Sequence, residues 1–272
     1  MPKRRWNVVE RGAGTPLVLV PGIQGRWEFS RRTVDALARY HRVITFTLCD
    51  ERSWRARGLA HPIDMFVEQI VDALDERGLR AAAVAGISFG GLVALRCAAR
   101  HAERTSALVM VSTPGPRFHL RRRHEVYTRL PWLFGPVFLA ETPLRVRREI
   151  RAALPDPHER RRFGAQQLRT LATAPVGLSR MAARARMITS YDRIADCARV
   201  SARTLVVHGE PALDHVTHAA GTRDYARLIP NARCVQLERT GHLGCMTRAD
   251  AFASLVHQFL TTAINDDQHS AA

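Results

Sequence analysis

The chain has 272 residues, 46% of them apolar, enough for one large core with room for an inserted lid but too few to demand two independent cores. It contains no run of 18 apolar residues, and its basic start, 1–6, leads into the polar stretch 7–14 instead of an apolar segment; neither membrane insertion nor a secretory signal is expected, and a soluble, cytoplasmic protein is. Five scattered cysteines without C-x-x-C or zinc spacing argue against a disulfide framework and a metal site, while a net charge of +16, with 40 of 41 basic residues arginine, leaves open an anionic partner.

Strands are expected in chain order at 7–10, 16–20, 43–48, 81–85, 107–112, 204–208 and 233–237, several as near-continuous apolar runs of the kind covered on both faces. Helical patterns lie between them. Phe66, Val67, Ile70, Val71 and Leu74 form one stripe, with Pro62 before it and Gly78 after it. Residues 91–99 continue as a helix from a glycine turn. From about 116 to 200 no strand is expected, only arginine-rich helical stretches punctuated by prolines, among them Pro131, Pro136 and Pro143. Segment 115–200 holds 18 arginines against seven acids, a balance of +11 that leaves +5 for the rest. The sheet pattern resumes at Thr204. Phe252, Leu255, Val256, Phe259 and Leu260 make a last stripe, with Thr247 and Asp250 as an expected capping box. Strand–helix alternation predicts an α/β fold with a mostly parallel, doubly wound sheet. The expected division is a core of 1–114 and 201–264, a helical cap inserted at 115–200, and a disordered tail at 265–272.

Gly86-Ile87-Ser88-Phe89-Gly90 lies between an expected strand and an expected helix. A serine on such a turn needs a strained backbone and small residues two before and two after it, which Gly86 and Gly90 supply. The turn lifts the hydroxyl above the sheet edge and sets it at a helix N-terminus, which favours developing negative charge. Ser88 is therefore the candidate nucleophile. An acyl-transfer site also needs two N–H donors for an oxyanion. The backbone of Phe89 is one candidate. The loop Pro21-Gly22-Ile23-Gln24-Gly25 after the second strand supplies the other, at Ile23. Thr240-Gly241-His242-Leu243-Gly244 is a glycine-flanked loop late in the chain, suited to carry a general base to the serine, and His242 is the candidate. His208, at a strand end, reads as structural, and His41, His101 and His158 have surface or core roles. The orienting acid is expected between nucleophile and histidine in chain order. Asp214 is the first choice and Glu210 the second. Gln24 and Leu243 are expected to line the substrate pocket.

Together these residues resemble the α/β-hydrolase superfamily over nearly the whole chain. The likeness rests on the strand and Pro21–Gly25 loop, the Ser88 elbow, the helical insert, the His208-Gly209-Glu210 strand end and Gly241-His242. It implies that the acid follows the strand ending in His-Gly-Glu and that the cap follows the strand ending near Ser112. Three positions depart from the family pattern. Pro21-Gly22 stands where His-Gly is usual. Asp214 lies five residues past Gly209 where three is usual. Asp50-Glu51-Arg52-Ser53-Trp54 replaces the usual Asp-x-Arg-Gly-x-Gly-x-Ser.

The resemblance implies a serine hydrolase that needs no cofactor and acts on a small-molecule ester or related acyl compound. C–C bond hydrolysis, cofactor-free haloperoxidase chemistry and a non-catalytic ligand-binding role stay open on the same fold. The serine elbow disfavours the aspartate-nucleophile branches, the dehalogenases and epoxide hydrolases. Arg121-Arg122-Arg123 and Arg160-Arg161-Arg162 raise an anionic substrate held by the cap, against the plainer reading of a solvated arginine surface. No nucleic-acid-binding signature accompanies the charge.

Overall fold

The apolar runs become a seven-stranded sheet. The computed structural model describes residues 7–270 except 51 and 53, with side chains up to residue 262. Its strands are β1 (Val8–Arg11), β2 (Pro16–Val20), β3 (Arg42–Phe46), β4 (Ala82–Ile87), β5 (Thr105–Val111), β6 (Thr204–His208) and β7 (Ala232–Gln236). The order across the sheet is β1-β3-β2-β4-β5-β6-β7. β1 runs antiparallel to β3, and the other neighbouring pairs are parallel.

Successive side chains of a strand point to opposite faces, and here both faces are covered. Val18, Val20, Val84, Leu108, Met110 and Val206 join a core with Phe66, Ile70 and Leu92. Leu17, Leu19, Ala83, Ala85, Val109 and Leu205 join a second core with Leu37, Phe252 and Val256. This explains the unbroken apolar runs. The edge strands differ: β1 and β7 are half-buried or exposed and carry Glu10, Arg11 and Arg233, charges that discourage edge-to-edge pairing.

The covering helices are α1 (Arg31–Leu37), α2 (Asp64–Asp75) and α3 (Phe89–Arg100) in the first half of the chain. Between β5 and β6 run α4 (Arg122–Arg129), α5 (Pro131–Ala153), α6 (Pro157–Thr173), α7 (Leu178–Ser190) and α8 (Arg193–Cys197). The last are α9 (Ala219–Leu228), α10 (Gly244–Thr247) and α11 (Ala249–Ser270). Two expectations change. Pro136 and Pro143 sit inside α5 and do not punctuate it; both fall on its exposed side, away from packed neighbours. The capping box before α11 does not form, because the Thr247 hydroxyl donates to the Leu243 carbonyl and Asp250 pairs with Arg39. Of the tail expected at 265–272, the side chains and the last two residues lie outside the described residues, as does the basic start at 1–6.

The helical insert is fastened at both roots. Arg193 donates to the carbonyls of Pro116 (3.0 Å) and Phe118 (2.9 Å) on the outgoing limb and of Ile188 on the returning one. Beneath it, buried Arg96 of α3 binds Asp64 at 2.6 and 3.0 Å and Asp196 at 3.2 Å, and the Tyr191 hydroxyl donates to Asp196 at 2.6 Å. Every member of this buried cluster is paired, which is what burying charge requires.

Candidate active site

The strand order reverses at β2, with β3 on one side and β4 on the other. A crevice beyond the C-terminal strand ends is expected at such a switch point. The two loops that flank it are the ones singled out by the sequence, Pro21–Gly25 after β2 and Ser88 after β4.

Ser88 has φ 54° and ψ −117°, a conformation that L-residues avoid, and it is 9% exposed. Its N–H is held by the Val111 carbonyl at 2.8 Å. The flanking glycines are dictated by contact. A Cβ on Gly86 would stand 2.1 Å from the Gly90 carbonyl oxygen, and one on Gly90 would stand 2.4 Å from that of Val20. Phe89 opens α3 with its ring buried edge-on against Phe66, 5.6 Å between centroids, so any role at the site falls to its backbone.

The β2 loop lies beside the serine. A Cβ on Gly22 would be 3.8 Å from the Ser88 Cβ and 3.3 Å from Gln24 Oε1. Gly25 turns with φ 73°, its N–H donating to the Gly22 carbonyl at 2.8 Å. Buried Arg184 of α7 holds this loop from the far side: Nη1 donates to the Ile23 carbonyl at 3.2 Å, and the guanidinium sits 5.6 Å over the Phe66 ring. It presses so closely that a Cβ on Gly25 would be 1.9 Å from Nη1. Of the rim loop at 50–54, Glu51 and Ser53 lie outside the described residues. Asp50 binds Arg52 and also meets Arg180 of α7 at 3.5 Å.

The acid and base loops run side by side after β6 and β7. A Cβ on Gly209 would be 2.5 Å from the Thr240 and Gly241 carbonyls, and one on Gly241 would be 2.6 Å from that of Leu213. Asp214 is 1% exposed. Its Oδ1 accepts from the N–H groups of Val216 (2.9 Å) and Thr217 (3.0 Å), and its Oδ2 accepts from Thr217 Oγ1 at 2.9 Å. Thr217 Oγ1 is also 3.2 Å from His242 Nδ1. A hydroxyl has one proton to give. Spent on the carboxylate, it leaves the oxygen to accept from Nδ1–H, which fixes the tautomer with Nε2 unprotonated. Burial tends to raise the Asp214 pKa, but His242 and the Thr217 and Val216 donors outweigh it and hold the carboxyl below its usual range. Burial lowers the His242 pKa against the pull of Asp214, so the imidazole is neutral at neutral pH. Glu210 faces elsewhere and accepts from the Arg239 N–H at 2.5 Å. His208 is buried with Nδ1 2.6 Å from the Gly209 carbonyl, to which it donates.

Besides Arg184, two residues here escaped the sequence reading. Thr217 is one, although an acid followed three residues later by threonine is a recognisable turn signal. Glu149 of α5 is the other, and it reaches in from the insert. It is 1% exposed and accepts from the Leu243 N–H, with the N–H groups of Gly241 and His242 also directed to it. Burial, reinforced by the charge of Asp214, outweighs these donors and pushes its carboxyl up to about 8. Leu243, expected as a pocket residue, thus meets the insert through its backbone. By contrast, Arg121, Arg122, Arg123, Arg161 and Arg162 are exposed, and Arg160 turns to the carbonyls of Leu154 and Pro155.

Residues 17–255 match the family model described as "Alpha/beta hydrolase family". Among curated relatives, the pimeloyl-[acyl-carrier protein] methyl ester esterase of Vibrio cholerae is 26% identical over 94% of this chain and 97% of its own length. A 2-hydroxymuconate semialdehyde hydrolase of Pseudomonas sp. (strain CF600) is 31% identical, over 49% of this chain and only 47% of that protein. Among solved structures, the enol-lactonase from Burkholderia xenovorans LB400 superposes with a TM-score of 0.73 at 21% identity, covering 94% of this chain and 96% of that one, a likeness of fold.

Proposed function

The chain belongs to the alpha/beta hydrolase family, and on that premise we propose that it is a serine hydrolase cleaving a carboxylic ester or related acyl bond. Ser88 is the nucleophile, His242 the general base and Asp214 the acid that orients it. The observation that carries this reading is the backbone of Ser88. Holding an L-residue at φ 54° costs of order 1–3 kcal/mol, and such strain persists where it serves a site. The His242 tautomer supports the same reading, because Nε2 is left free to take a proton.

His242 Nε2 removes the Ser88 hydroxyl proton as Oγ attacks the substrate carbonyl carbon. The N–H groups of Ile23 and Phe89 receive the negative oxygen. The tetrahedral species collapses, its leaving group takes the proton from His242, and the acyl group stays on Ser88. Water, deprotonated by His242, then attacks the acyl-enzyme; the acid product leaves and Ser88 regains its proton. Segment 115–200 acts as the lid, a role supported by the contacts that Arg184 and Glu149 make with the loops carrying Ile23 and His242.

Labelling with a fluorophosphonate probe, wild type beside Ser88→Ala, tests the assignment. Labelling of the wild type that vanishes in the variant is expected; equal labelling of both proteins rejects Ser88. Carbon–carbon bond hydrolysis is the second reading, favoured by the Pseudomonas relative. Turnover of simple acyl esters well above that of C–C substrates separates the two.

A further inference from the structure

α5 turns an apolar face to solvent. Trp132 is 70% exposed, Leu144 72%, and Leu133 and Val137 nearly half, while Pro136, Ala140 and Pro143 are exposed between them. These positions recur every three or four residues and so occupy one side of the helix over three turns. From 130 to 140 the sequence carries no charge at all. α4 lies antiparallel beside α5, held by stacking of Tyr127 on Phe134 (5.1 Å), by His124 edge-on to Phe138 (5.9 Å), and by Arg123 on Glu141. It adds exposed Val126, and Leu130, between the two helices, is exposed as well. The same side of α5 continues into exposed Arg147, Arg148 and Arg151, and α4 contributes exposed Arg122 and Arg129. Of the two acids in this helix pair before residue 149, Glu141 is already bound by Arg123 and Arg145, leaving Glu125 exposed.

We propose that the α4–α5 face is an adsorption surface for anionic phospholipid membranes. Exposed apolar surface of this extent on a soluble fold marks an interaction site. Its chemistry selects the partner. An amphipathic helix with tryptophan and leucine on one side and arginine at its borders lies in the plane of a lipid interface, with the apolar side among acyl chains and the guanidinium groups at headgroup level. A second copy of the chain would bring its own arginine border against this one, like charge facing like charge. No helix among the described residues is long and apolar enough to cross a membrane, so the contact is shallow. It uses none of the residues around Ser88 and stands or falls apart from them.

The test is co-sedimentation of the full chain with vesicles of phosphatidylcholine alone or with one quarter phosphatidylglycerol, at 0.1 M salt. Binding to the anionic vesicles at least about tenfold tighter than to neutral ones is expected, since each arginine near an anionic surface contributes about 1 kcal/mol, roughly fivefold in affinity. The double variant Trp132→Ser/Leu144→Ser removes two mostly exposed side chains, so its thermal unfolding should match the wild type while vesicle binding falls about tenfold or more. Arg147→Gln/Arg148→Gln should lower binding to anionic vesicles and leave the weak binding to neutral ones unchanged. Equal binding by wild type and Trp132→Ser/Leu144→Ser would reduce the effect to diffuse attraction by a basic protein and overturn the proposal. So would absence of vesicle binding, whether the face then proves to pair two copies in analytical ultracentrifugation or to capture an acidic protein.

Discussion

Replacing Glu149 by glutamine should change how the stability of this protein responds to pH. The carboxyl titrates at about 8 in the folded chain against a usual 4.5, because burial disfavours its charge. Between those values the native chain holds one proton more than the unfolded chain. The contribution of this carboxyl to stability is therefore complete below about pH 4.5, falls by about 1.4 kcal/mol per pH unit, and levels above pH 8 after a loss of about 5 kcal/mol. That is a large fraction of the 5–15 kcal/mol that typically separates folded from unfolded domains, on the order of a third to all of it. Glu149→Gln keeps an acceptor oxygen for the Leu243 N–H and cannot ionise. Its amide N–H2 fits the neighbouring Gly241 and His242 donors poorly, which costs about 1–3 kcal/mol at every pH. The slope is therefore the diagnostic quantity and the offset is not. Urea unfolding of both proteins at pH 5, 6, 7 and 8, at constant ionic strength, should give a difference that moves in favour of the glutamine variant by several kcal/mol across the series. Parallel profiles would show that Glu149 is already ionised in the native state, and the account of its burial would fail.

Arg96→Ala should leave Asp64 and Asp196 buried without their shared cation and lower stability by about 3–5 kcal/mol, read as a fall in Tm. Thr217→Val removes the hydroxyl between Asp214 and His242 at almost constant volume; kcat/KM on a short-chain p-nitrophenyl ester should drop about tenfold or more, with Thr217→Ser recovering most of it. In its proposed role as general base, His242 works only as the neutral imidazole, and burial lowers its pKa, so activity should be lost on acidification through a midpoint below 6.5; an acid limb centred above 6.5 in the kcat/KM profile would contradict this.

The sheet was legible because its strands carry their burial in their composition: β2 and β4 are apolar at every position, and β6 is apolar from Leu205 to Val207, since both faces are covered. The elbow was legible because the contacts that exclude a side chain at Gly86 and Gly90 are made by atoms near in sequence or on the adjoining strand. Glu149 was not. It lies 94 residues from Leu243, on a helix whose other charges are mostly arginines, and nothing local separates a buried acid there from a solvated one. Arg184 meets Ile23 across 161 residues and was equally invisible. The interior prolines of α5 misled for a related reason. Proline breaks helices by clash and by a missing N–H, and its toleration here depends on which side of α5 each ring faces, which follows only from the packing.

The attachment of the insert from Glu149 to the backbone around His242 has an evolutionary corollary. With both roots stapled by Arg193, the excursion looks like a cassette that a descendant could exchange for a foreign one without disturbing the sheet. Such a transplant would strand the amides of Gly241, His242 and Leu243 unless the incoming helices happened to bring an acceptor to the same spot. Chimaeras lacking one should fold around an intact sheet yet carry a slack histidine loop, and recombination between relatives would tend to inherit the insert and that loop as a pair.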